Sequence, residues 1–262
     1  MLMHFGGLNF YYAFPAMVAV LIAGAMGLLT WLQRRRTPEK TAFLLFVLGV
    51  AVWSLGYALE MLAVSLDVKV FLGRLQYFGI ATVPALWLVF VLHYAGLDRW
   101  LTPRRLAALA VVPLATLALV WTNDLHHLHW TSVRLDTEIG LIPIFITSKG
   151  PWFWIHTAYS YTMLAAAAGV LVWMAARLSG LFRSQALALL AASAAPWVGN
   201  LAYLLRTSPL PGLDPTCLGF AIGGLIALWS LARLHLLDLS PAARWLAFDS
   251  VSEAIFALDE QG

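Results

Sequence analysis

Long apolar runs separated by short polar breaks dominate the chain. Seven of them approach the roughly 20 residues that an α-helix needs to cross the hydrocarbon core of a bilayer. They run from about Phe10 to Leu32, Thr41 to Leu62, Leu75 to Ala95, Leu106 to Trp121, Trp152 to Ala176, Ala186 to Leu205 and Thr216 to Leu234. The fourth is short and contains Pro113. The runs do not alternate apolar and polar residues as barrel strands do. The pattern therefore predicts an all-α membrane protein, a bundle of seven transmembrane helices. No internal repeat supports an inverted-repeat transporter.

Composition agrees. Of the 262 residues 61% are hydrophobic and 11% charged, against about 25% charged in soluble domains. Such a chain cannot clothe a globule in a water-compatible surface. One cysteine, Cys217, excludes a disulfide framework. The N-terminus lacks the cationic region and cleavage site of a removable signal peptide. Charge placement sets the expected orientation. Arg34, Arg35, Arg36, Lys40, Arg99, Arg104, Arg105, Arg177, Arg183, Arg233 and Arg244 fall on one side, eleven of the 16 Lys and Arg residues. Lys69, Arg74, Arg134, Lys149 and Arg206 fall on the other. By the positive-inside rule the N-terminus is expected outside and the C-terminus in the cytoplasm.

The longest loop, about residues 122–151, is then extracellular. Its apolar run Leu141 to Ile146, between Gly140 and Gly150, suggests a short strand or hairpin capping the bundle. Three segments are expected: a membrane domain over 1–237, a cytoplasmic linker helix over 238–250 opened by Ser240 and Pro241, and 251–262. In the last, Ile255 to Leu258 reads as a strand and Asp259 to Gly262 as a turn. The chain reads as a fragment ending at the threshold of a cytoplasmic module.

The ending VSEAIFALDEQG resembles the opening of a PAS domain. Upstream, the stretches Gly73 to Gly96, TNDLHHLHW (Thr122 to Trp130), PWFWIHTAYSY (Pro151 to Tyr161), APWVGN (Ala195 to Asn200) and LLDLSPAARW (Leu236 to Trp245) occur in order. Together they resemble the N-terminal seven-helix sensor region of bacterial membrane histidine kinases. That resemblance implies a sensor input domain in the bacterial inner (cytoplasmic) membrane. It also implies a homodimer in the full-length protein and output through PAS and kinase modules to a response regulator. A cyclic-dinucleotide synthase output is the alternative.

Polar residues inside spans are candidate functional groups. Trp53, Tyr57 and Glu60 share a face of the second span. Arg74, Tyr77, Ala81 and Pro84 share one on the third, with Trp87 beside it. On the fifth, Trp152, His156, Tyr159 and Met163 align; on the sixth, Pro196, Asn200 and Tyr203 do so, with Trp197 adjacent. These stripes predict an aromatic pocket in the outer half of the bundle. Its expected ligand-binding residues are Tyr57, Glu60, Arg74, Tyr77, Trp87, His156, Tyr159, Trp197, Asn200 and Tyr203. The ligand is expected to be small or lipid-like, with Glu60 and Arg74 as a pair that fixes packing or holds a zwitterion. Signal transmission is assigned to Pro84, Pro196, His235, Asp238 and Pro241. Set against this, Trp and Tyr also anchor helices in headgroups, and prolines also merely kink them.

No catalytic set, cofactor, metal or nucleic-acid partner is expected. The cluster Asp124, His126, His127 and His129 has metal-ligand residue types, but adjacent histidines point apart; one of them is expected to pack under the loop. A haem between His93 and His235 is rejected because interfacial histidines are usually structural. The lysines lie outside the seven spans, which excludes a Schiff-base retinal pigment, and no mid-depth carboxylate supports a proton pump. Gly219-x-x-x-Gly223 reads as a close-packing face, or else a dimer contact. The rival readings are a sensor of bilayer state without a soluble ligand and, further off, a transporter.

Overall fold

The computed structural model describes residues 7–33, 37–136, 142–205, 207 and 214–234. Seven helices in it are long and apolar enough to span a membrane. They are α1 (Gly7–Leu32), α2 (Pro38–Leu62), α3 (Leu66–Tyr94), α4 (Pro103–Trp121), α6 (Pro151–Arg177), α7 (Gly180–Leu204) and α8 (Thr216–Arg233). A short helical turn, α5 (Asn123–His126), and an antiparallel hairpin, β1 (Trp130–Asp136) with β2 (Ile144–Lys149), join α4 to α6. Three helices start on proline: Pro38, Pro103 and Pro151. Proline suits a first turn, where its missing N–H would have had no partner. Side chains such as Leu21, Leu114 and Val198 stay exposed on the outer faces, as lipid-facing residues do in a fold with no water around its waist.

Helices α2 and α3 form the centre, each with 56% of its most apolar window buried, against 11% for α7. Their backbones touch: a Cβ on Gly79 of α3 would lie 2.2 Å from the Gly49 carbonyl oxygen. Helix α1 packs through small residues, with Ala13, Ala16, Ala19 and Ala23 all nearly inaccessible. At Gly219 and Gly223 of α8, added Cβ atoms would lie 2.5 Å from the Pro196 Cα and 2.1 Å from the Ala192 carbonyl oxygen. The glycine spacing is thus used for intramolecular contact between α7 and α8. At the end away from the hairpin, Phe43 packs on Phe90 with ring centres 5.1 Å apart, and Phe46 on Trp87 at 5.0 Å.

Two expectations change, and a third group of them falls outside the described residues. Helix α3 starts at Leu66, nine residues before the expected Leu75, so Lys69 lies inside a membrane-spanning helix. Its ammonium is fully buried and donates to the Glu60 main-chain carbonyl at 2.6 Å. Bonding of this kind lets a lysine occupy the first turn of an apolar helix. The capping hairpin exists, but its first strand, 130–136, lies ahead of the apolar run, and its second, 144–149, starts within that run and ends beyond it. The linker helix, the PAS-like start, and His235, Asp238 and Pro241 lie outside the described residues.

Candidate functional site

Beneath the hairpin lies a cavity of about 230 Å³ lined by α2, α3, α6, α7, α8 and the hairpin itself, with Met26 of α1 at its far end. It is below the ~300–1,000 Å³ of clefts that take drug-sized ligands, so any occupant is small or slender. Along α2 its lining runs from Phe43 to Met61, a rise of about 27 Å at ~1.5 Å per residue. The cavity is therefore long and narrow, and it is not confined to one half of the bundle as the stripes predicted. Its two ends differ chemically. Met26, Phe43, Phe46, Trp87, Leu189 and Ala227 line the far end, whereas Tyr57, Glu60, Gln76, Lys149, Tyr203 and Asp214 line the hairpin end.

Eight of the ten expected binding residues line the cavity: Tyr57, Glu60, Tyr77, Trp87, His156, Trp197, Asn200 and Tyr203. Pro84 and Pro196 do so as well. Arg74 and Tyr159 do not. Arg74 Nη2 pairs with Asp124 Oδ1 at 2.6 Å, which ties α3 to the turn before the hairpin. Tyr159 Oη donates to the Leu109 carbonyl at 2.6 Å, holding α6 against α4. The Glu60–Arg74 pair is accordingly replaced: Glu60 Oε2 accepts from Gln76 Nε2 at 2.6 Å. Helical periodicity assigned both side chains a face correctly enough to find the bundle, but not which neighbour the face meets.

A chain of hydrogen bonds crosses the hairpin end. Tyr161 Oη donates to Asn200 Oδ1 at 3.0 Å, and Asn200 Nδ2 donates to Thr216 Oγ1 at 3.3 Å. Thr216 Oγ1 and its backbone N–H both donate to Asp214 Oδ1. The Asp214 N–H donates to Tyr57 Oη at 3.1 Å. One chain thus joins α6, α7, α8 and α2 around the cavity. Asn200 is a bridge between helices. His156 lies beside it on the wall, with Nε2 3.3 Å from Ser160 Oγ.

Lys149 and Asp214 are the functional candidates that helix periodicity misses. Both belong to connecting segments, yet both fold inward at the start of a helix. Lys149 Nζ donates to Thr147 Oγ1 at 2.7 Å and Tyr203 Oη at 3.3 Å, and sits 4.6 Å from the Phe153 ring centre. Among the described residues no carboxylate lies within 4.0 Å of it. Burial pulls the Lys149 ammonium down to about 8 against the attraction of Asp214 and Glu60. Burial likewise pushes the Asp214 carboxyl up, opposed by its hydrogen bonds from Thr216 and by Lys149. The signal that would have flagged them is position: each lies within two residues of the first residue of a span, at the same end of the bundle.

The loop histidines separate. His126 Nδ1 accepts from the Leu128 N–H, and Asp124 is held by Arg74. His129 is fully buried, its ring edge-on to Tyr77 at 4.6 Å and to Phe153 at 5.8 Å. Asn123 fixes this turn by accepting from the His129 and Trp130 N–H groups and donating to the Trp130 carbonyl. Desolvation, with a smaller contribution from His156, lowers His129 to about 3. The unfolded chain therefore binds a proton that the folded one refuses between about pH 6.5 and 3, so stability falls as pH falls through that window. His129 alone is expected to contribute about 1.4 kcal/mol per pH unit to the slope, read from denaturation measurements. His129→Phe should lower the slope by about that amount; an equal slope in both proteins would sink the assignment.

At the opposite end, Gln185 is fully buried and joins three elements. Tyr94 Oη donates to its Oε1 at 2.6 Å, and its Nε2 donates to the Leu234 carbonyl at 2.7 Å, just past the end of α8. His93 Nδ1 lies 2.6 Å from Asp98 Oδ1 close by.

No match was found among curated proteins. A family described as the N-terminal 7TM region of histidine kinase matches residues 15–241. That span includes every membrane helix except the first turns of α1, together with the hairpin and all residues that line the cavity. The chain belongs to this family, the seven-transmembrane N-terminal regions of histidine kinases, and is a membrane sensor input domain with no catalytic role of its own.

Proposed function

We propose that the cavity is a receptor site, filled from the hairpin side by a slender amphiphile, and that occupancy sets the position of α7 and α8. The observation that carries this reading is the cavity's polarity, with ionisable groups at one end and aromatic and aliphatic walls at the other. In this reading the N-terminus and hairpin are extracellular, the C-terminus is cytoplasmic, and the protein resides in a bacterial inner membrane. A ligand shifts a conformational equilibrium only through unequal affinity for its states. Here the hydrogen-bond chain from Tyr161 to Tyr57 supplies the difference, because Asn200, Thr216 and Asp214 hold α7 and α8 to the rest of the wall. The tight Gly219 and Gly223 contacts make the two helices respond together. The Tyr94–Gln185–Leu234 link would then pass the movement to whatever follows α8. His235, Asp238, Pro241 and a PAS-like module are the proposed continuation, with a dimeric histidine kinase as output.

The test is to fill the cavity. Small molecules released from the purified protein are compared with those released from Ile80→Trp, since Ile80 lines the wall between the two polar and apolar ends. A compound carried by the first and missing from the second supports the reading. An identical profile from both contradicts it.

A further inference from the structure

The described part of the hairpin end carries two opposite charges that are each short of a counter-ion. Lys149 rests on hydroxyls and aromatic rings, 4.6 Å from the Phe153 ring centre and 5.3 Å from that of Tyr203. Among the described residues Asp214 is satisfied by the backbone and hydroxyl of Thr216 alone. Each feels the other's charge, yet they are not in ion-pair contact among the described residues. Glu60, the third ionisable group there, differs: Gln76 occupies one of its oxygens, and Lys69 lies against its own carbonyl. Burying a charge without a partner is costly, and a protein that keeps two such charges facing one cavity has left room for complementary ones.

From this geometry we infer that the cavity takes a zwitterionic amphiphile: its acid group meets Lys149, its ammonium meets Asp214, and its apolar chain lies along the wall towards Trp87 and Phe43. The proposal rests on the receptor reading and narrows it. A ligand carrying only an anion would leave Asp214 uncompensated and place a second negative charge near Glu60. One carrying only a cation would leave Lys149 uncompensated. The apolar chain is required by the far end, where no ionisable side chain lines the cavity. The same headgroup chemistry occurs in a free amino acid with a long side chain and in an ethanolamine phospholipid, and the experiment separates these sources.

The full chain is placed in nanodiscs of phosphatidylglycerol, a lipid without an ammonium group, and titrated with probes that share a chain length. These are 2-aminododecanoic acid, dodecanoic acid, dodecylamine, dodecanol and a lysophosphatidylethanolamine with a twelve-carbon chain. Trp53 and Trp87 on the wall report binding by fluorescence, with empty nanodiscs as the control. The expected result is that one or both zwitterions bind at least tenfold more tightly than either singly charged probe. A preference for 2-aminododecanoic acid assigns a free amino acid, and a preference for the lysolipid assigns a bilayer source. Lys149→Met should abolish the advantage of 2-aminododecanoic acid over dodecylamine. Asp214→Asn, which keeps an acceptor for Thr216, should abolish its advantage over dodecanoic acid. Tighter binding of a singly charged probe or of dodecanol, lost in Ile80→Trp, overturns the zwitterion while keeping the receptor cavity. Unchanged ratios in both charge variants also overturn it. No binding by any of the probes overturns both readings.

Discussion

Gly79→Ala is expected to separate α2 from α3 and to destabilise the bundle by about 3 kcal/mol, the upper part of the range for overpacking a close contact. A Cβ at this position would lie 2.2 Å from the Gly49 carbonyl oxygen, 2.8 Å from the Trp53 Cβ and 2.9 Å from the Trp53 backbone nitrogen. All three belong to the backbone or to the first atom of a side chain, so no rotamer change relieves the contact. Relief requires a shift of α2 relative to α3, which also displaces Trp53 and Tyr57 from the cavity wall. Gly169→Ala in α6 is the matched control. Its Cβ would have no heavy atom within 4 Å, so the change should be neutral or stabilise by up to about 1 kcal/mol through helix propensity. Thermal denaturation of the two variants in one detergent gives the comparison, and equal melting temperatures would refute the close-contact account.

Ile80→Trp is expected to abolish ligand binding and to leave signalling by the full-length protein constant under conditions that normally change it. Ile80 lies on α3 between two buried clusters, one around Trp53 and Tyr57 and the other around Tyr77 and Trp130. An indole there projects into the middle of a narrow cavity, where a slender ligand has no way round. With its site blocked, the ligand loses any difference in affinity between the states, and the equilibrium stays where the empty protein sets it. Overpacking itself costs typically 1–3 kcal/mol. A second filler, Ser193→Phe on the opposite wall, separates blockage from misfolding: both variants should share the same defect in binding while differing in stability. Retained ligand response in two well-folded variants would rule out this cavity as the sensing site.

Most of the fold is legible in the sequence because a bilayer tolerates few solutions. Backbone groups in hydrocarbon must bond within their own segment, so seven long apolar runs became seven helices. The aromatic and polar stripes on the second, third, fifth and sixth spans were likewise visible, because spacing by three and four keeps residues on one face. What spacing could not show is the neighbour opposite a face. Arg74 turned to Asp124, and Tyr159 to Leu109. Lys69 hid the start of α3, since an isolated lysine looks like the edge of a span until its carbonyl partner on Glu60 is known. Lys149 and Asp214 were invisible for a different reason. They sit in connections whose path over the bundle has no period, and only the folded loop brings them to the cavity. Gln185 reads as a polar residue near a helix start until Tyr94 and Leu234 are seen on either side of it.

A density map of the intact protein, prepared without delipidation and resolved well enough to distinguish side chains, bears most directly on the receptor reading. An elongated non-protein feature is expected beneath the hairpin. Its polar end should lie within hydrogen-bond distance of Lys149 and Asp214, and its chain should run between Tyr77 and Trp197 towards Trp87. A cavity that holds only water, or that closes by contact of α3 with α7, would contradict it.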